Sequence, residues 1–129
     1  MIPRNPASVH APVAKYSHQI EVPDQGRWLV LSGQIGQRLD GTIPESAVEQ
    51  VEVALANVLG NLEAAGMGVH DVVKLTLYLV GDLAPAECQA VIDAWQDGHE
   101  PCITLLYVAG LAAPAFRVEI DAWAHSAVN

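Results

Sequence analysis

Few residues in this chain carry useful chemistry, and they are scattered. Glu119 draws attention first. It stands in Phe116–Ala124, where Phe116, Val118, Ile120, Ala122 and Ala124 alternate with Arg117, Glu119, Asp121 and Trp123. A period of two places Glu119 on one face of a strand with Arg117 and Asp121. A carboxylate so placed can orient a water and take its proton. It can equally pair with Arg117 in solvent, and on the residues alone that surface pair is the better reading. The five histidines (His10, His18, His70, His99 and His125) show no His-x-x-x-His spacing, and Cys88 and Cys102 form no Cys-x-x-Cys. Asp97, His99 and Glu100 have donor atoms for a metal, but without ligand spacing of a known type they read as a solvated turn, and no metal is expected. Gly33-Gln34-Ile35-Gly36 lacks the Gly-Lys-Ser/Thr and following helix of a phosphate loop. No serine stands in a nucleophile elbow, so a Ser/His/Asp hydrolase is available in composition only. His18 reads as a strand-surface histidine.

The elements that must position these groups follow from periodicity and turn chemistry. Residues 1–14, with Pro3, Pro6 and Pro12, read as an irregular lead-in. Ser17–Val22 predicts a short strand closed by Pro23-Asp24-Gln25-Gly26. Arg27–Ser32 suits a strand covered on both faces, and Gly33, Gly36, Asp40 and Gly41 then punctuate a loop or a short returning strand. The spacing of Val48, Val51, Leu55, Val58 and Leu62 predicts a helix over Pro44–Ala65, with Pro44 at its first position and Gly66 as its stop. Val72–Val80 alternates, with Val73, Leu75, Leu77 and Leu79 on one side and Lys74, Thr76 and Tyr78 on the other. Pro85–Asp97 predicts a second helix with Cys88, Val91, Ile92 and Trp95 inward, and Ile103–Val108 another strand. The order implies an α+β domain, one unit over residues 1–129, with a mixed sheet and both helices on one face. Leu105, Tyr107, Tyr78 and Trp123 then need cover that the chain does not supply, which predicts a homo-oligomer.

Composition narrows the partners. Six Lys and Arg against fifteen Asp and Glu give a net charge of −9. Arg4, Lys15, Arg27, Arg38, Lys74 and Arg117 form no cluster that could neutralise several phosphates, so neither nucleic acid nor an anionic membrane is an expected partner. No apolar run near the start looks like a targeting segment and none approaches a membrane span, so a cytoplasmic location is expected. Two cysteines are too few for a disulfide framework and read as buried thiols.

One ordered set of residues carries a resemblance. Tyr16-Ser17, Ser32-Gly33-Gln34-Ile35, Gly41, Gln50, Asn57, Ala64-Ala65-Gly66, Asp71-Val72-Val73-Lys74, Pro101, Val108-Ala109 with Leu111, and Val118-Glu119-Ile120 follow one another at fitting spacing. Over about Tyr16 to Ala124 the chain resembles the Rid/YjgF family. The resemblance implies a chorismate-mutase-like α+β fold, a homotrimer whose sheets form a central barrel, and small-molecule clefts between subunits. It also implies hydrolysis of reactive imines and enamines to ketoacids and ammonia, with no cofactor. Position by position, Tyr16 matches the cleft tyrosine, Ser32 and Gly33 the loop whose backbone faces the ligand, and Glu119 the glutamate that holds the attacking water. The chain departs where deaminating members read Pro-Ala-Arg-Ser. Here the segment is Pro101-Cys102-Ile103-Thr104, so Ile103 replaces the arginine that clamps a substrate carboxylate. Gln89 stands for the usual asparagine of the second helix, and Trp95 for an aromatic at its end. The resemblance therefore implies a deaminase-like hydrolase whose pocket prefers a neutral or more apolar ligand, because an unpaired carboxylate against isoleucine is costly to bury. The alternative is a trimer that binds small molecules without catalysis. An endoribonuclease or translation-inhibitor activity, attached by name to some relatives, is opposed by the charge.

Overall fold

An apolar stripe at three-and-four spacing makes helix α1, Ala47–Ala64, which buries Val51, Ala54, Leu55, Val58 and Leu62. The helix begins three residues later than the sequence predicts. Ser46 is its N-cap and accepts the Glu49 N–H at 3.3 Å. Pro44 lies buried ahead of it, its carbonyl taken by the Gln50 side chain. Past the C-terminus Gly66 turns with φ +71°.

The computed structural model describes residues 1–127. Strands β1 (Ile2–Arg4) and β2 (Gln19–Glu21) form an antiparallel ribbon, with Arg4 paired to Gln19 in register and reaching the Glu21 carboxylate at 2.9 Å. This corrects the irregular lead-in expected for residues 1–14. Proline tolerates such an edge because it owes no ladder hydrogen bond. The second strand is also shorter than the expected Ser17–Val22.

Strands β3 (Arg27–Ile35), β4 (Val72–Leu79), β5 (Cys102–Tyr107) and β6 (Val118–Ser126) form a mixed sheet in the order β3-β6-β4-β5. β4 and β5 are parallel, and the other two pairings antiparallel. Helix α2, Pro85–Gln96, joins β4 to β5 and adds Cys88 and Ile92 to the core that α1 makes with the sheet. Leu75, Leu77 and Leu79 meet Ala122, Ile120 and Val118 across the β4–β6 register, all buried beneath the helices. Truncating one of these leucines to alanine costs about 2–5 kcal/mol.

The sheet differs from expectation in three places. β3 does not stop at Ser32: it continues to Ile35 through a bulge between Leu31 and Gln34. A second bulge between Val72 and Lys74 gives the core position to Val72, leaving Val73 on the opposite face beside Trp28 and Trp123. Leu105 and Tyr107 pair in register with Leu77 and Leu79, so they lie on the helix side of the edge strand, and Leu106 takes the open face instead. That open face is still strongly apolar. Trp28, Val30, Leu106 and Trp123 are 50%, 56%, 42% and 47% exposed.

Candidate functional site

Three of the expected residues meet in one cleft. Ile103 comes from β5, Gln89 from α2, and Tyr16 from the segment that crosses the open end between them; Leu77, Ile92 and Leu105 complete a cavity of about 250 Å³. The crossing segment is tied down firmly. The Ser17 backbone N–H donates to the Pro101 carbonyl at 3.1 Å and the Ser17 hydroxyl to the Glu100 carbonyl at 2.6 Å. The buried Gln96 amide donates to the Lys15 carbonyl at 2.7 Å. The Tyr16 hydroxyl accepts the Val13 N–H at 3.3 Å. On α2, one turn apart, the Gln89 amide nitrogen donates to Asp93 Oδ1 at 2.9 Å. Apolar walls with a few convergent polar groups are the usual constitution of a small-molecule site.

The other three, Ser32, Gly33 and Glu119, lie on the opposite face of the sheet. Glu119 alternates with buried Val118 and Ile120, which turns it to the open side opposite Tyr78 and Ile35. Its side chain lies over Gly33. A Cβ built on that glycine would stand 2.5 Å from the Glu119 Cδ and 2.6 Å from its Cγ, so a side chain there would push the Glu119 carboxylate aside. The bulge that carries Ser32 and Gly33 is held from α1. Asn57 donates to the Ile35 and Gln37 carbonyls at 3.0 Å each, and Asn61 to Gln34 Oε1 at 3.1 Å.

Arg117 does not pair with Glu119, contrary to the surface reading of the sequence. Its guanidinium donates to the Asp82 carbonyl at 3.2 Å and its backbone N–H to Gln50 Oε1 at 2.9 Å. Among the described residues Glu119 has no ion pair. Beside it, the Tyr78 hydroxyl donates to Asp121 Oδ2 at 3.0 Å. That hydrogen bond, with the charge of Asp121, raises the phenol above its ordinary value.

Trp95 packs against the core and does not line the cleft, and its indole N–H is buried without a partner among the described residues. His18 stacks edge-on against Tyr16 from outside, with ring centroids 5.5 Å apart. Leu77, Ile92 and Leu105 were not anticipated as cleft residues; the β4–β5 register that brings them together was the missing signal. A larger depression of about 550 Å³ lies between the N-terminal ribbon and His70, His99 and Glu100. It holds little free chemistry: Arg4 is engaged by Glu21, and His99 by the Val72 carbonyl at 2.7 Å. Asp97 faces His70 at 3.3 Å, and among the described residues no group of three His, Cys, Asp or Glu is placed to hold a metal ion. Burial pushes both thiols above their ordinary value, with Lys74 opposing this at Cys102. Among the described residues no helix is long and apolar enough to cross a membrane.

Comparisons with known proteins identify the family and the fold. The family described as endoribonuclease L-PSP matches residues 7–126. The 2-iminobutanoate/2-iminopropanoate deaminase of Escherichia coli is 32% identical over 121 residues, covering 90% of this chain and 92% of that protein. A crystal structure of a Rid-family protein of unknown function from Yersinia pestis superposes with a TM-score of 0.87 at 30% identity, covering 97% and 98% of the two chains. The Escherichia coli protein TdcF with bound serine gives 0.72 at 27% identity, covering 89% and 91%. The matched span takes in both the cleft and the Glu119 strand, and the chain belongs to the Rid/YjgF family of endoribonuclease L-PSP-like proteins.

Proposed function

We propose that this chain hydrolyses imines or enamines that lack a carboxylate, as a homotrimer with a ligand cleft at each subunit boundary. The observation that carries the reading is the Glu119 carboxylate, without an ion pair among the described residues and lying against the bare backbone of Gly33. Glu119 orients a water and takes its proton as the oxygen bonds to the C=N carbon. Glu119 returns that proton to the former imine nitrogen to give the carbinolamine, then relays the hydroxyl proton to the same nitrogen as the carbinolamine collapses to the carbonyl compound and ammonia leaves. Tyr16, Gln89 and Ile103 wall the ligand on one side, and Ser32 and Gly33 offer backbone on the other. Because these two sets lie on opposite faces of one sheet, a ligand touching both needs two copies of the chain. The apolar open face, with Trp28 and Trp123, supports such an assembly.

Ile103 sets the substrate. It offers no donor to a carboxylate, and an unpaired charge held against it is costly. The Escherichia coli relative is named for 2-imino acids, so this chain's ligand differs in that group. Ammonia release should be measured from a panel of carboxylated and neutral imines. Turnover of the neutral ones is expected, and turnover of only the carboxylated ones would sink the reading. Glu119→Gln should abolish turnover and leave ligand binding within about twofold. Ile103 also favours a second reading, a binding trimer without catalysis; binding with no ammonia release from any imine would establish it.

A further inference from the structure

The cleft contains a specificity device, and the inference drawn from it rests on the proposed function. Amide side chains can present either end to a ligand, but Gln89 has no choice. Asp93, four residues on along α2, accepts from its nitrogen at 2.9 Å. A carboxylate has no hydrogen to give, so the amide nitrogen must face Asp93, and the carbonyl oxygen is left for other company. Among the described residues no donor reaches that oxygen, and Gln89 borders the cleft. The Tyr16 hydroxyl shows the complementary state. It accepts from Val13, and among the described residues its own proton has no acceptor.

The cleft therefore offers one unpaired acceptor, one unpaired O–H donor and aliphatic walls from Leu77, Ile92, Ile103 and Leu105. We infer that Gln89, held by Asp93, makes this cleft select neutral ligands that present an N–H, such as primary imines, enamines and amides, over carboxylates of the same shape. A carboxylate would set its oxygens against the Gln89 oxygen with the Asp93 charge behind it. A ketone would leave the Gln89 oxygen unpaired, which is how polar sites reject analogues lacking a donor. Lys15 is the cation that borders the cleft, but it is exposed and shares the adjoining depression with Asp93. A solvated ammonium there cannot replace a bidentate guanidinium.

Three probes share one six-heavy-atom skeleton: isobutyramide carries N–H, 3-methyl-2-butanone is neutral without it, and isobutyrate is the carboxylate. Ligands of this size bind with Kd values of millimolar order. Titrations of the protein, followed by NMR at the backbone amides of α2 and β5, should rank the amide at least about tenfold tighter than either of the others. In Asp93→Asn the amide is free to turn over, and the ranking should shrink to within about threefold. In Gln89→Met it should vanish while the ketone's affinity holds. Equal binding of all three by the wild type, or an unchanged ranking in Asp93→Asn, overturns the inference and leaves the cleft itself standing. Absence of binding by all three overturns the proposed ligand site and the selectivity with it. Carboxylate binding that disappears in Lys15→Met would assign recognition to Lys15 and refute the Gln89 device.

Discussion

Gln50 is a buried amide, 1% exposed, that joins three segments. Its nitrogen donates to the Pro44 carbonyl at 2.8 Å and the Ala115 carbonyl at 3.0 Å, and its oxygen accepts the Arg117 N–H at 2.9 Å. Gln50→Leu keeps the volume and leaves all three backbone groups without that partner. At about 1 kcal/mol per lost bond the expected destabilisation is about 3 kcal/mol. With an unfolding entropy of roughly 2.1 cal/mol/K per residue, or about 0.27 kcal/mol/K for a chain of this length, Tm should fall by about 11 °C. Gln50→Glu is the sharper probe. The new carboxylate has no hydrogen for the two carbonyls it faces, so its folded pKa must lie above its unfolded value of about 4.3. The penalty is then greatest at neutral pH and shrinks as pH falls through the folded pKa, where the group gains a proton and one carbonyl regains a donor. Urea unfolding at pH 7 and pH 5, each against the wild type, measures this. A Gln50→Leu shift below about 3 °C, or a Gln50→Glu penalty indifferent to pH, would refute the assignment of this residue as the tie between the three segments.

Gly33→Ala should displace the Glu119 carboxylate by roughly 1 Å, enough to lower ammonia release by about a hundredfold with a change in Tm of only a few degrees. Steady-state kinetics beside a thermal melt separates the two effects, and unimpaired turnover would remove Gly33 from the site. Trp123→Glu places a charge on the open sheet face, and sedimentation velocity should show a smaller particle that keeps its far-UV spectrum. An unchanged particle would move the interface elsewhere. Iodoacetamide should modify both cysteines more slowly than a free thiol at pH 7, with the rate rising about tenfold per pH unit to pH 8 and Cys102 ahead of the more buried Cys88. A fast, pH-independent reaction would contradict the burial of both thiols.

Where one element's own pattern decided its structure, the sequence was easily read. The α1 stripe and the β4 alternation are local signals, and both elements appear within a few residues of their expected bounds. Tertiary contacts decided the rest. Pro44 looked like a helical first position because proline favours it, but the Gln50 amide holds its carbonyl in the preceding loop. Gly33 looked like the end of a strand, whereas its missing side chain makes room for Glu119 from the neighbouring strand. Leu105 and Tyr107 were assigned to the open face because nothing in β5 states its register against β4. For the site, the family resemblance pointed to Tyr16, Gln89, Ile103 and Glu119, but not to their division between two faces. That division depends on which strands adjoin, and on the bulge of β3, neither of which has a local signature.

β6 is the last strand of this chain, and it lies between β3 and β4 in the sheet. On a ribosome, β4, α2 and β5 emerge together and can pair as they appear, but β3 must wait about ninety residues for β6, its one neighbour in the sheet among the described residues. Until residues 118–126 arrive, the inner edge of β4 is open and α1 has half a surface to rest on. Order of manufacture and order of assembly thus run against each other. Because β6 bridges β3 and β4, the sheet that carries Glu119 and Gly33 is completed only by the contact most distant in sequence, a topology of high contact order.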